Sequence, residues 1–85
     1  MTIRTTTTTV TFRRPFLLKS AERTTPAGDY RVVTDEELIE GVSFLAYRRV
    51  MTAIFLPATG GGSEMLIIDP SEIEQAQTRD REGAP

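Results

Sequence analysis

Residues 43–69, SFLAYRRVMTAIFLPATGGGSEMLIID, leave this chain few ways to fold. Two apolar runs face each other across ATGGGSE, a glycine-rich link of the kind that joins antiparallel strands, and Pro57 stops the first run because proline cannot donate to a sheet ladder. The expected result is a hairpin, with one strand from about Arg48 to Leu56 and the other in EMLIID. A helical spacing also runs through Phe44, Tyr47, Met51 and Ile54, so Phe44 to Tyr47 is expected as a helical turn or irregular piece before the strand.

Immediately after the hairpin, DPSEIEQAQTRD carries the marks of a helix start. Asp69 stands at the N-cap, Pro70 at the first helical position, Glu72 at the capping-box position and Arg79 in the last turn. Only Ile73 and Ala76 are apolar, so the helix has a narrow stripe to lay on a sheet.

The N-terminal third begins with Thr5-Thr6-Thr7-Thr8-Thr9. β-Branched threonine suits a pleated strand, but only Val10 and Phe12 mark a buried face, so nothing before Val10 fixes the register. A strand over about Thr7 to Arg13 is expected, preceded by a loosely held end at 1–6. Pro15 interrupts it, and Phe16, Leu17 and Leu18 resume as core. Residues 19–27 read as a polar connection ending in a Pro26/Gly28 turn. DYRVVT reads as another strand. TDEELIEG is ambiguous, having a Thr34 cap with Glu37 on the helical reading and unbroken alternation on the other; strand followed by turn is favoured, since a single helical turn burying only Leu38 and Ile39 is barely stable.

The expected fold is therefore α+β and β-rich: an antiparallel meander of about four strands with a C-terminal helix, curling toward a small barrel being an open variant. The expected core is Val10, Phe12, Leu17, Tyr30, Val32, Leu38, Phe44, Val50, Ile54, Leu66, Ile68 and Ile73. At 85 residues this is read as one small domain, with loose ends at 1–6 and 81–85.

Composition narrows function by exclusion. The chain has no cysteine and no histidine, so disulfides, thiolate ligands and the commonest general base and metal ligand are missing. The longest apolar stretch is shorter than the roughly 20 residues that span a bilayer, and a cytoplasmic location without membrane association is expected. The charge is uneven: residues 1–34 carry six basic and two acidic side chains, residues 35–85 four basic and ten acidic, so +4 faces −6. Pairing within the fold or across a dimer is the expected use of that asymmetry.

TGGGSE lacks the lysine of a phosphate-binding loop and precedes a strand, which leaves it a hairpin loop. Asp35, Glu36, Glu37 and Glu40 have no calcium-loop spacing and would point to opposite faces of a strand. Arg13-Arg14 and Arg48-Arg49 stand beside Phe12, Phe16, Phe44 and Tyr47, and arginines interleaved with aromatics are how small sheets grip single-stranded nucleic acid. The acidic pI of about 5.0 argues against that use, and the six aromatics are needed for a core.

The run TTPAGDYRVVTDEELIEGVSFLAYRRV resembles small single-domain bacterial proteins with a PAGxY…EELIEG…YRRV pattern. That resemblance spans about residues 10–69 and implies no activity, cofactor or catalytic residue to carry over.

For function the sequence leads to a non-enzymatic interaction module working through a sheet face or edge, with no catalytic, cofactor or metal residues assigned. Its candidate interaction residues are Arg13, Arg14, Tyr47, Arg48 and Arg49. The expected partner is a second copy of the chain or another protein. Nucleic acid bound through the two arginine pairs is the alternative, and carboxylate catalysis in the acidic segment the third.

Overall fold

A computed structural model describes residues 2–39, 46–58 and 60–83. The order of elements is β1 (Ile3–Phe12), β2 (Phe16–Leu18), β3 (Arg23–Thr25), β4 (Gly28–Ile39), β5 (Ala46–Pro57), β6 (Ser63–Ile67) and α1 (Pro70–Glu82), with a 3-10 turn at Lys19–Ala21. Four strands form one antiparallel sheet in the order β1-β4-β5-β6, and β2 with β3 makes a separate hairpin. The molecule is α+β and strand-rich, and the sheet stays open rather than closing into a barrel.

The meander holds for β4, β5 and β6. Between β1 and β4 the chain makes an excursion, the β2–β3 hairpin, before returning to pair with β1 along its whole length, from Ile3 opposite Glu37 to Phe12 opposite Gly28. That excursion ties down the polar connection expected over 19–27. Glu22 takes the left-handed conformation at φ 55°, which turns the chain so that Leu18 pairs with Arg23 and Phe16 with Thr25.

The core lies between one face of the sheet and a cover made by the β2–β3 hairpin and α1. Phe12, Tyr30, Val32, Ile54 and Leu56 come from the sheet, Phe16 and Leu18 from the hairpin, Ile68 from the approach to the helix, and Ile73 and Ala76 from the helix itself. Three aromatic rings form its centre: Phe12 stacks on Phe16 with ring centroids 3.6 Å apart, and Tyr30 meets Phe16 edge-on at 5.4 Å. The Tyr30 hydroxyl donates to the Pro26 carbonyl at 2.5 Å, so the ring is buried without orphaning its polar end. Burial raises the Tyr30 pKa above the ordinary tyrosine value.

The helix starts as its sequence demands. Asp69 accepts from the Ser71 N–H at 2.9 Å, Pro70 fills the first turn, and Gly83 closes the other end at φ 79° with its N–H turned to the carbonyls of Arg79 and Asp80. Glu72 does not reach back to complete a capping box. It instead accepts from the N–H and the hydroxyl of Ser20, at 3.1 and 2.7 Å, and so pins the 3-10 turn to the helix.

Several expectations need correction. Leu17 is 48% exposed, because alternation in β2 sends Phe16 and Leu18 inward and Leu17 out. Val50 is 46% exposed: the register jumps from Asp35 opposite Met51 to Glu36 opposite Arg49, which leaves Val50 as the unpaired residue of a β-bulge. The loose ends expected at 1–6 and 81–85 are in part regular structure, since β1 begins at Ile3 and α1 continues to Glu82. Ala46 and Tyr47 belong to β5, not to an irregular piece, whereas the expectation for Phe44 lies outside the described residues. Over 34–39 the strand reading holds, with Leu38 half-buried.

Candidate interaction surface

Residues paired across antiparallel strands share a face, so the register sorts every sheet side chain onto the helix-covered side or the other. Val10, Val32 and Ile54 lie on the covered side. On the opposite side, a cross-strand row runs Thr7, Val33, Ala53, Ile67, and Phe55 with Met65 forms the next row on the β5–β6 half. Ile67 is 62% exposed and Met65 53% exposed. Ala53, set between Val33 and Ile67, is buried, and Val33, Met51 and Phe55 are half-buried. This apolar strip has no second layer over it among the described residues.

A polar margin surrounds it. The guanidinium of Arg31 lies 4.5 Å over the Phe55 ring. Along β1, Thr5 and Thr11 donate to the carboxylates of Asp35 and Asp29, each at 2.7 Å, so two threonines of the row are held by acids on the neighbouring strand. The arrangement is an apolar centre with charged and hydroxyl groups at its border.

The bulge at Val50 decides where the sequence-assigned residues go. Beyond it, Arg49 pairs with Glu36 and Tyr47 with Leu38 on the helix-side face, while Arg48 pairs with Glu37 on the helix-free face. Arg48 and Arg49, adjacent in sequence, therefore serve opposite surfaces. Arg48 makes an ion pair with Glu37 at 3.3 Å. Tyr47 lies under the guanidinium of Arg4, 3.9 Å from the ring centroid, and Arg4 also bonds Glu36 at 2.8 Å. Such exposed pairs contribute only about 0 to 1 kcal/mol each, but they occupy the groups that an anionic ligand would need.

Arg13 and Arg14 sit at the other end of the sheet. Gly28, opposite Phe12, and Glu36, opposite Arg49, are eight strand residues apart, roughly 26 Å at about 3.3 Å per residue. The backbone N–H groups of Arg13 and Arg14 both bond to the buried carboxylate of Asp80, at 3.0 to 3.2 Å. The Arg14 guanidinium is packed so close to Gly83 that an added methyl there would sit 2.7 Å from it. A cation at a helix C-terminus complements the exposed carbonyls, so this arginine has a structural use in place. The two arginine pairs do not form one surface.

Sequence reasoning passed over Met65 and Ile67, although a signal was present. MLII is apolar at every position, as expected of a strand covered on both faces. Only Leu66 and Ile68 found a cover; the alternate residues did not. Among the described residues no group of three or more carboxylates is placed to hold a metal ion, and no helix is long and apolar enough to cross a membrane.

The fold and surface define a class: a small open-faced α+β domain with one helix-covered and one uncovered sheet face. Comparison with known proteins finds no family model, curated protein or solved structure that matches the chain.

Proposed function

We propose that the protein is a non-enzymatic interaction module that binds another protein through the helix-free face of its sheet. One observation carries this reading: β6 is apolar on both sides, yet only one side is turned to the core, leaving Met65 and Ile67 exposed beside Val33, Ala53 and Phe55. Full burial of a side chain of this size is favourable by about 1.5–3 kcal/mol, so a cover over this strip gains substantial free energy. Binding of nucleic acid through both arginine pairs has less support, because the pairs lie at opposite ends of the sheet and Arg48 is already engaged by an acid.

The test is a comparison of native-cell partners captured by the wild type and by Met65→Lys/Ile67→Lys. The double variant changes only exposed positions and keeps the fold, and a partner present with the wild type is lost from it. Retention of every partner by the double variant excludes this face as the binding surface.

A further inference from the structure

The free edge of β1 carries an inference independent of the face. In an antiparallel ladder the backbone groups of successive residues point alternately toward and away from the neighbour. The Leu38 N–H donates to the Thr2 carbonyl at 2.9 Å, and no register shift interrupts β1 against β4. The even-numbered residues of β1 therefore spend their N–H and C=O groups on β4. Those of Ile3, Thr5, Thr7, Thr9 and Thr11 point outward from the end of the sheet, where β1 has no further strand beside it among the described residues.

An edge of this length is usually blunted by lysine, proline or a bulge. Ile3–Phe12 contains none of these, and Arg4 is its one charged residue. The outward residues are also nearly symmetric about Thr7, with threonine at 5, 7, 9 and 11 and isoleucine only at 3.

We propose that two copies of this chain pair edge to edge through antiparallel β1 strands about a two-fold axis at Thr7. Thr7 then faces Thr7 of the second copy, Thr5 faces its Thr9, and Ile3 its Thr11, so every outward N–H and C=O from Ile3 to Thr11 is used. The contact is isologous, the closed kind that stops at a dimer. On the other side chains' face Arg4 meets Val10 and Thr6 meets Thr8, so no like charges are opposed. The two four-stranded sheets become one of eight strands, with both helices on one side and both uncovered strips on the other.

The chain lacks cysteine, which allows the register to be read by single cysteines. Hydrogen-bonded antiparallel partners have Cα atoms about 5.5 Å apart, within disulfide reach, whereas Thr5 of the two copies would stand four residues out of register. The wild type is expected to sediment at twice the chain mass of 9.5 kDa. Under mild oxidation Thr7→Cys gives a covalent dimer and Thr5→Cys does not. Thr7→Lys, which opposes two cations on the axis, halves the mass with its far-UV circular dichroism unchanged; should that variant unfold, the cysteine pair decides alone. Monomer mass at every concentration overturns the proposal, as does equal cross-linking of both cysteine variants or a monomer whose β1 edge takes up an extended peptide instead. Met65→Lys/Ile67→Lys lies on the opposite edge strand and leaves β1 intact, so that variant keeps the dimer mass while losing the face's partner, and the two results are separate.

Discussion

Asp80 joins the end of the helix to the end of the first strand. Past the end of β1 the N–H groups of Arg13 and Arg14 have no strand to bond, and the following Pro15 has no N–H to offer; the Asp80 carboxylate accepts from both. Asp80→Ala leaves those donors without a partner in a part-buried site and should cost about 2 to 3 kcal/mol, measured by urea unfolding. This role was not legible in the sequence, where Asp80 is one acid in a polar helix end and its partners lie 66 and 67 positions away. Asp69, by contrast, was legible, because a cap is a local device. Its bonds with Ser71, chiefly the one from the backbone N–H, hold its pKa below the ordinary aspartate value, with Arg49 adding a smaller effect. A depressed folded-state pKa means that the cap's contribution is present above the unfolded pKa of about 3.9 and is lost as pH falls through the lower folded value. The melting temperature of the wild type should thus drop on acidification through that window more than that of Asp69→Asn.

At the scale of elements, β1 is the strand that composition described least well and topology fixed most firmly. Threonine on both faces gave no register; pairing with β4 from Ile3 to Phe12 supplied it, helped by the Thr5–Asp35 and Thr11–Asp29 bonds. The alternation of its backbone groups separates two neighbouring substitutions. Thr8→Pro removes an N–H that faces β4 and should lower stability by about 1 to 3 kcal/mol. Thr7→Pro removes one that faces outward, and at concentrations where the chain is monomeric its cost in chemical denaturation should be distinctly smaller. Equal losses would mean that the parity is wrong. The bulge at Val50 was illegible for a related reason: alternation within β5 alone cannot show that its partner strand is one residue shorter. β3 was missed because three polar-looking residues, Arg23-Thr24-Thr25, acquire strand structure only from Phe16–Leu18 beside them.

For the molecule as a whole, two of the six basic residues in the first half pair with acids of the second among the described residues. Arg4 bonds Glu36, Arg23 bonds both Glu64 and the Pro57 carbonyl, and Asp80 anchors the turn after β1. The uncovered side of the sheet is apolar at its centre. The β2–β3 hairpin and a helix with only Ile73 and Ala76 as its apolar buried residues cover one side of the sheet, and the sequence carries enough hydrophobic residues in β4, β5 and β6 for both. Six of the ten core residues, Phe12, Tyr30, Val32, Ile54, Ile68 and Ile73, stand in the expected core, whereas Leu17 and Val50 are exposed; the uncovered strip was signalled only by the apolar MLII run, because alternation says which residues share a face but not which face is covered. In-cell photocross-linking tests the uncovered face most directly, with benzoylphenylalanine placed at Ile67 on the strip or at Gln75 on the exposed side of the helix. The expected result is a discrete cross-linked protein from position 67 and none from position 75; no adduct from 67, or the same adducts from both, would contradict the assignment of this face as the binding surface.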